Sequence, residues 1–343
     1  MKFLKLIVFI LLIAFIGVAI YVAVQPNSYE VSRTKTIDAP PSVVYDEVID
    51  YKKWEAWSPW IEKEPTIKLA YADKTEGEGG SYSWEGKDGI GKMKTLSANT
   101  DKSIIQEIQF DDYEPSHILW DFESTDDGKT NVTWTMTGDN LPFIFKGFAA
   151  LSGGFDKMVG PDFERGLEKL DSISMAAMKK FDIKVNGISE HGGGFYIYKT
   201  TSSRFDEMST AIEKMMTEVS SYAMKNNLTM AGPPFTIYHS WDETLGTTMF
   251  SCCIPTTDRV IIPEGDILTG QLDPFKGVKT TLKGDYSNLS QAWDQTMAYL
   301  KQYDLKPAET GPMIESYVTD PTREPNPANW ITELYVAIEQ PAE

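Results

Sequence analysis

Three histidines, two cysteines and a group of aromatic residues near a few carboxylates are the side chains of this 343-residue sequence best placed to do chemistry. His117, His191 and His239 share no spacing that suits a metal site, so neither a metal nor another cofactor is expected. Cys252 and Cys253 are adjacent, and neighbours on a strand point to opposite faces. That favours a reduced, packed pair over a bridge. His239 follows Tyr238 and should face away from it. With no serine or cysteine motif beside it, a structural role is favoured. A carboxylate among aromatic rings is more suggestive, because it attracts a cationic or hydrogen-bonding ligand and the ring faces add cation–π attraction. Glu333 has Trp330 and Tyr335 close by in the sequence, and Tyr238 and Tyr317 are the other rings to weigh. Strand alternation puts Glu333 on one face with Tyr335 and Ala337, and by spacing alone that face reads as solvated.

The length suits two globular units of about 100–200 residues each. Hydrophobic residues make up 41% and charged residues 24% of the chain, as in ordinary folded protein. The net charge of −18 repels phosphate backbones, so nucleic acid is not an expected partner. The same charge argues against docking on anionic lipid. The N-terminal segment does point to a membrane: Ile7 to Val24 is an unbroken apolar run with one glycine. With Phe3 and Leu4 it is long enough to cross a hydrocarbon core of about 30 Å. Lys2 and Lys5 precede it and favour a cytoplasmic N-terminus. Ala23-Val24-Gln25-Pro26-Asn27 is a poor cleavage site, so an uncleaved anchor is favoured over a signal peptide. The expectation is a single-pass membrane protein anchored through residues 3–24, with its other domains on the extracytoplasmic, periplasmic side.

After the anchor range, 1–27, residues 28–182 read as one domain. Ser28 to Ile37 alternates like a strand, and Ser42 can cap a helix carrying Val43, Val44, Tyr45, Val48 and Ile49. Trp54, Trp57 and Trp60 follow at three-residue spacing. Six strand-like stretches come next, with turns at Gly86–Gly89 and Asp126-Asp127-Gly128. A helical tract runs from about Pro161 to Phe181. Phe143, Ile144, Phe145 and Phe148 read as buried packing or, less favoured, as a mobile gate beside Gly153-Gly154. The run at residues 37–60, ‘IDAPPSVVYDEVIDYKKWEAWSPW’, the hairpin ‘GGSYSWEGKDGIGKMK’ and the closing helix resemble the polyketide cyclase/START-like (SRPBCC) superfamily. The resemblance implies a curved sheet gripping a helix around a mostly apolar cavity, with Trp57, Trp84 and Trp120 as candidate lining. Ordinary core packing is the favoured reading of these tryptophans on residue type alone.

Residues 183–343 carry a weak duplication. Lys199-Thr200-Thr201 recurs as Lys279-Thr280-Thr281. Each triplet ends a strand-like run and precedes a helix, about Phe205 to Lys225 and about Leu289 to Gln302. Gly232-Pro233 and Gly311-Pro312 then lead into short strands bearing Tyr238 and Tyr317. Closing strands follow at Thr247 to Ile254 and Ile331 to Ile338. The domain therefore reads as two β-α-β-β units joined through an extra strand near Gly265–Gln271, with a cleft at their junction. The stretches ‘FTIYHSW’, ‘GVKTTLKGDYSNLSQAWDQTMAYLKQYDL’, ‘MIESYVTDP’ and ‘NWITELYVAIE’ resemble the GyrI-like family, the effector-binding domain of AraC- and MerR-type activators. The resemblance implies a cleft-facing glutamate on the final strand, which is Glu333 here, with Tyr238, Tyr317, Trp330 and Tyr335 as candidate walls of the cleft.

The fold class expected is α+β: a transmembrane helix, a helix-grip domain, then a duplicated GyrI-like domain. The favoured function is non-catalytic binding of a hydrophobic, aromatic or cationic amphipathic small molecule. The resemblance also implies an alternative, hydrolysis of an activated amide. Glu333 would then be general base and Tyr238 or Tyr317 would steady the oxyanion.

Overall fold

Alternating apolar and polar residues build two antiparallel sheets in the computed structural model, which describes residues 2–87, 89–262 and 264–339. Met1, Asp88 of the expected Gly86–Gly89 turn, Pro263 and residues 340–343 lie outside the described residues. The chain divides into two compact units, Met1–Ala177 and Met178–Glu343.

The first unit begins with helix α1, Lys2–Ala23. Phe3–Ala23 is long and apolar enough to cross a membrane by length and composition. Strand β1, Tyr29–Ile37, then leads through Pro40 into α2, Pro41–Ile49. Proline is well suited to this first helical turn because its missing N–H has no intrahelical partner there. Two short helices follow, α3 (Trp54–Trp57) and α4 (Pro59–Lys63). A meander comes next: β2 (Lys68–Tyr71), β3 (Ser81–Gly86), β4 (Gly89–Asn99), β5 (Ser103–Phe110), β6 (Ser116–Ser124) and β7 (Thr130–Gly138). The sheet order is β1-β7-β6-β5-β4-β3-β2, so the first strand pairs with the last of the meander.

Helix α5, Phe143–Ser152, ends at Gly153, and α6 runs from Phe155 to Met178. Gly153 and Gly154 both have positive φ, 86° and 110°, which glycine adopts without a Cβ clash and which separates the two helices. The closing helix therefore starts six residues before the expected Pro161. Pro161 lies inside it, and the backbone hydrogen bond it forgoes is offset by burial of Phe163, Leu167 and Leu170 against the sheet. Arg33 on β1 pairs with Asp156 (2.7 Å) and Glu164 (2.6 Å) on α6, tying the helix to the sheet edge.

The second unit is an eight-stranded sheet of order β12-β9-β11-β10-β14-β15-β13-β8. Its elements in chain order are β8 (Asp182–His191), β9 (Gly194–Arg204), α7 (Met208–Lys225), β10 (Phe235–Asp242) and β11 (Thr247–Thr256). Then come β12 (Leu268–Leu272), β13 (Phe275–Lys283), α8 (Leu289–Gln302), β14 (Met313–Tyr317) and β15 (Ile331–Ala337). The two β-α-β-β units are β9-α7-β10-β11 and β13-α8-β14-β15. They meet where β10 pairs antiparallel with β14, Thr236 facing Glu315. Helix α7 packs on β9 and β11, and α8 on β13, β8 and β15. The two central strands thus lie between the helices, which is the position of the candidate site.

Candidate functional site

Strand alternation and the repeat together decide what lies on the floor between α7 and α8. Thr236 and Tyr238 share the helix-facing side of β10, and Glu315 and Tyr317 share that side of β14. Tyr238 and Tyr317 are 79 residues apart, as are Thr236 and Glu315. The tyrosines are thus repeat equivalents, and the pseudo-twofold passes between Thr236 and Glu315, which face each other in the pairing. One carboxylate stands where the other repeat has a hydroxyl.

Glu315 is 3% exposed. Its Oε1 accepts from Trp293 Nε1 on α8 at 2.5 Å. Its Oε2 accepts from Tyr238 Oη at 2.9 Å and Tyr317 Oη at 3.0 Å. Thr236 Oγ1 completes the chain at 3.1 Å from Tyr317 Oη. Among the described residues no lysine, arginine or histidine pairs with Glu315. Burial raises its pKa above the ordinary glutamate value, and the three donated hydrogen bonds oppose that rise. Burial, with the nearby carboxylate adding to it, pushes the Tyr238 and Tyr317 hydroxyls well up, so both remain donors at neutral pH.

Aromatic rings surround this floor. Tyr238 meets Trp293 edge to face at 5.9 Å and Trp241 at 6.2 Å. On the other side Tyr286 meets Tyr317 at 5.5 Å and Trp330 at 4.8 Å. Tyr238, Trp293, Tyr286, Tyr317 and Trp330 are each half-buried and Trp241 is exposed, so ring surface reaches water while the carboxylate does not. The rings offer apolar area and negative π faces beside the buried acid.

Of the sequence-derived residues, Tyr238, Tyr317 and Trp330 come together here. Glu333 and Tyr335 do not, and the carboxylate that lies among these rings is Glu315. In the β14–β15 register Glu315 faces Leu334, and Glu333 faces Ser316. Glu333 therefore projects from the opposite side of the sheet. There Lys279 Nζ pairs with it at 2.8 Å and Tyr335 Oη donates to it at 2.8 Å. His191 stacks on Phe275 at 4.9 Å and meets Tyr335 edge to face at 5.1 Å, and burial lowers its pKa. Sequence reasoning missed Glu315, Trp293, Tyr286 and Trp241. The period of two was the available signal for Glu315, which lies two residues before Tyr317.

In the first unit Trp57 and Trp120 are wholly buried among other rings and line no opening. Trp120 stacks on Trp134 at 4.3 Å, and Trp134 on Phe163 of α6 at 4.0 Å. Trp57 meets Trp120 and Trp134 edge to face at 5.8 and 5.9 Å. Short helices α3 and α4 carry the spaced tryptophans into the space between sheet and α6. Gly166 of α6 allows the close approach, since a Cβ there would lie 2.8 Å from Trp134 Cζ3. Trp84, half-buried, lies across Gly91 and meets Phe110 at 5.7 Å. Phe143, Ile144 and Phe148, expected to be buried or to gate a cavity, are more than half exposed on α5.

Residues 195–339 match the family model of the GyrI-like small molecule binding domain. Residues 28–173 match that of polyketide cyclase / dehydrase and lipid transport. The chain joins a polyketide-cyclase-like domain to a GyrI-like domain. No sequence among curated proteins matches it. Among solved structures, the C-terminal domain of EcmrR is 19% identical, covering 47% of this chain and 98% of that one, with a TM-score of 0.40. Protein CV1439 from Chromobacterium violaceum is 16% identical, covering 44% of this chain and 98% of that one at 0.33. Protein Ms6760 from Mycobacterium smegmatis is 18% identical, covering 42% and 89% at 0.32. The GyrI-like match contains every cleft residue named above.

Proposed function

We propose that this chain is a membrane-anchored binding protein for amphipathic aromatic cations, held in the GyrI-like cleft over Glu315. The observation that carries this reading is the buried carboxylate with three ring-borne donors and no cationic partner among the described residues. A buried charge is costly unless compensated. Hydrogen bonds compensate Glu315 in part, and a bound cation completes the compensation. Helix α1 supplies the anchor: its 21-residue apolar stretch, Phe3–Ala23, spans about 31 Å at a rise of 1.5 Å per residue. The polyketide-cyclase-like domain, its interior filled by indoles, serves in this reading as support and not as a second ligand carrier.

Hydrolysis is the less favoured reading. Glu333, the base it requires, is ion-paired with Lys279 on the far side of the sheet. Glu315 already accepts hydrogen bonds at both oxygens from three side chains, which would have to yield before a water could be held there for attack.

The test is titration of the full chain in detergent with a delocalised cationic dye, a neutral dye of the same ring system and an anionic one. The cationic dye is expected to bind most tightly, with its fluorescence altered by stacking. Equal or weaker binding of the cation than of the neutral dye sinks the proposal.

A further inference from the structure

Helix α5 has the composition of a buried element and the exposure of a surface one. Phe143, Ile144, Phe148 and Leu151 are 57%, 56%, 56% and 83% exposed. At helical periodicity these four fall on one side. The other side faces the domain: Ala149 is buried, and Phe145 meets Tyr113 edge to face at 4.8 Å. A contiguous apolar surface of this kind on a soluble domain marks a place of contact.

The chain brings this surface to the end of α1. Tyr29, at the start of β1, pairs with Gly138 at the end of β7, so the segment leaving α1 and the segment entering α5 meet at one corner of the sheet. Leu141 N–H donates to Asn27 O at 3.1 Å, and Lys146 Nζ donates to Gln25 O at 3.4 Å. Val22, in the last turn of α1, is 4% exposed, and a side chain grown from Gly147 would begin 4.0 Å from its Cγ1. The apolar surface of α5 therefore continues that of α1.

We propose that α5 lies in the membrane surface beside the emergence of α1, with Phe143, Ile144, Phe148 and Leu151 inserted at the boundary of headgroups and acyl chains. The proposal rests on the reading of α1 as a membrane span. Continuity with α1 identifies the occupant as lipid. Lys146 is the one charged residue of α5, and the adjoining loop carries Asp111, Asp112 and Glu114. Insertion is thus driven by apolar area, and neutral zwitterionic lipid suffices. Attachment at two points holds the first domain close against the bilayer instead of leaving it on a free tether.

The test uses the full chain in phosphatidylcholine liposomes. A polarity-sensitive fluorophore is placed on cysteine in three variants: Leu151→Cys on α5, Asp126→Cys in the exposed turn between β6 and β7, and Ile13→Cys in α1. Cys252 and Cys253, both wholly buried, stay unlabelled. Lipids brominated on their acyl chains should quench the Ile13 and Leu151 labels by roughly twofold or more, as expected of residues within the acyl boundary. The Asp126 label should respond to aqueous iodide alone. If iodide quenches the Leu151 label as it does the Asp126 label, while Ile13 senses lipid, the α5 proposal is overturned and the span stands. If the Ile13 label responds to iodide, the span itself is wrong and the α5 proposal goes with it. A Leu151 label shielded from both quenchers would mean that a second copy covers the face, which also overturns the proposal.

Discussion

The polyketide-cyclase-like and GyrI-like domains both set helices on one face of an antiparallel sheet, and both line that space with indole and phenol rings. In the first, Trp54, Trp57, Trp120, Trp134 and Phe163 have no exposed surface and meet one another at stacking or edge distance. In the second, Tyr238, Tyr317 and Trp293 turn their polar atoms onto one carboxylate and leave their ring faces half open. Rings that satisfy each other make a solid core. Rings organised by a buried polar group keep part of their surface exposed, because the hydrogen bonds fix their directions. The count of aromatic residues therefore says little about whether their surface stays accessible, and the presence of an acceptor at their centre says more.

That contrast is most severely tested in the first domain. Trp134→Ala should cost about 3–5 kcal/mol, the usual range for removing a large buried aromatic side chain, and calorimetry should show one unfolding transition lowered and the other unmoved. If the variant instead keeps its stability and gains affinity for an apolar dye, the domain is a ligand carrier after all. In the second domain, Glu315→Gln should weaken binding of a cationic dye by roughly thirtyfold, or about 2 kcal/mol, as expected for loss of one desolvated charge partner. Glu333→Gln should leave that affinity within about twofold, since its side chain faces away from the cleft. Equal losses in the two variants would erase the distinction drawn between the two carboxylates.

Gly166→Ala probes the packing from the helix side. The new methyl would meet Trp134 at 2.8 Å, and overpacking of this kind costs about 1–3 kcal/mol. The smallest effect expected concerns pH. Burial gives Glu315 a folded pKa above the ordinary 4.5, so the folded state holds that proton more tightly than the unfolded chain does. Its contribution to stability is then greatest below 4.5 and is lost as pH rises through the raised folded value. Over the same window the newly charged carboxylate should bind a cation more strongly. Wild type minus Glu315→Gln, followed by thermal unfolding and by dye affinity, isolates both trends. A flat difference in either measurement removes the electrostatic account of the cleft.

Much of this architecture was legible in the residues themselves. Helical periodicity placed α8 at Leu289–Gln302, and the recurring triplets placed Tyr238 and Tyr317 in equivalent positions. The central acid was not found, because the resemblance to a family pattern drew attention to Glu333 on the last strand. The alternation counted back from Tyr317 would have led to Glu315. Helix α5 resisted for a different reason: its apolar residues read as buried by composition, and composition carries no information about which solvent they face. The tryptophans were readable as packing, but whether they fill or line a cavity depends on stacking geometry across six elements, which spacing along the chain does not encode.

Cys252 and Cys253 sit side by side on β11 and point to opposite faces of the sheet, one against Met215 and Phe250, the other against Phe235 and Ile237. Burial pushes the Cys252 thiol up to about 12 and the Cys253 thiol well above its usual range. Thiolate is the species that attacks oxidants and other disulfides, and at neutral pH neither side chain supplies it in quantity. In the folded chain an oxidant in solution would therefore find neither an accessible sulfur nor a ready nucleophile on β11.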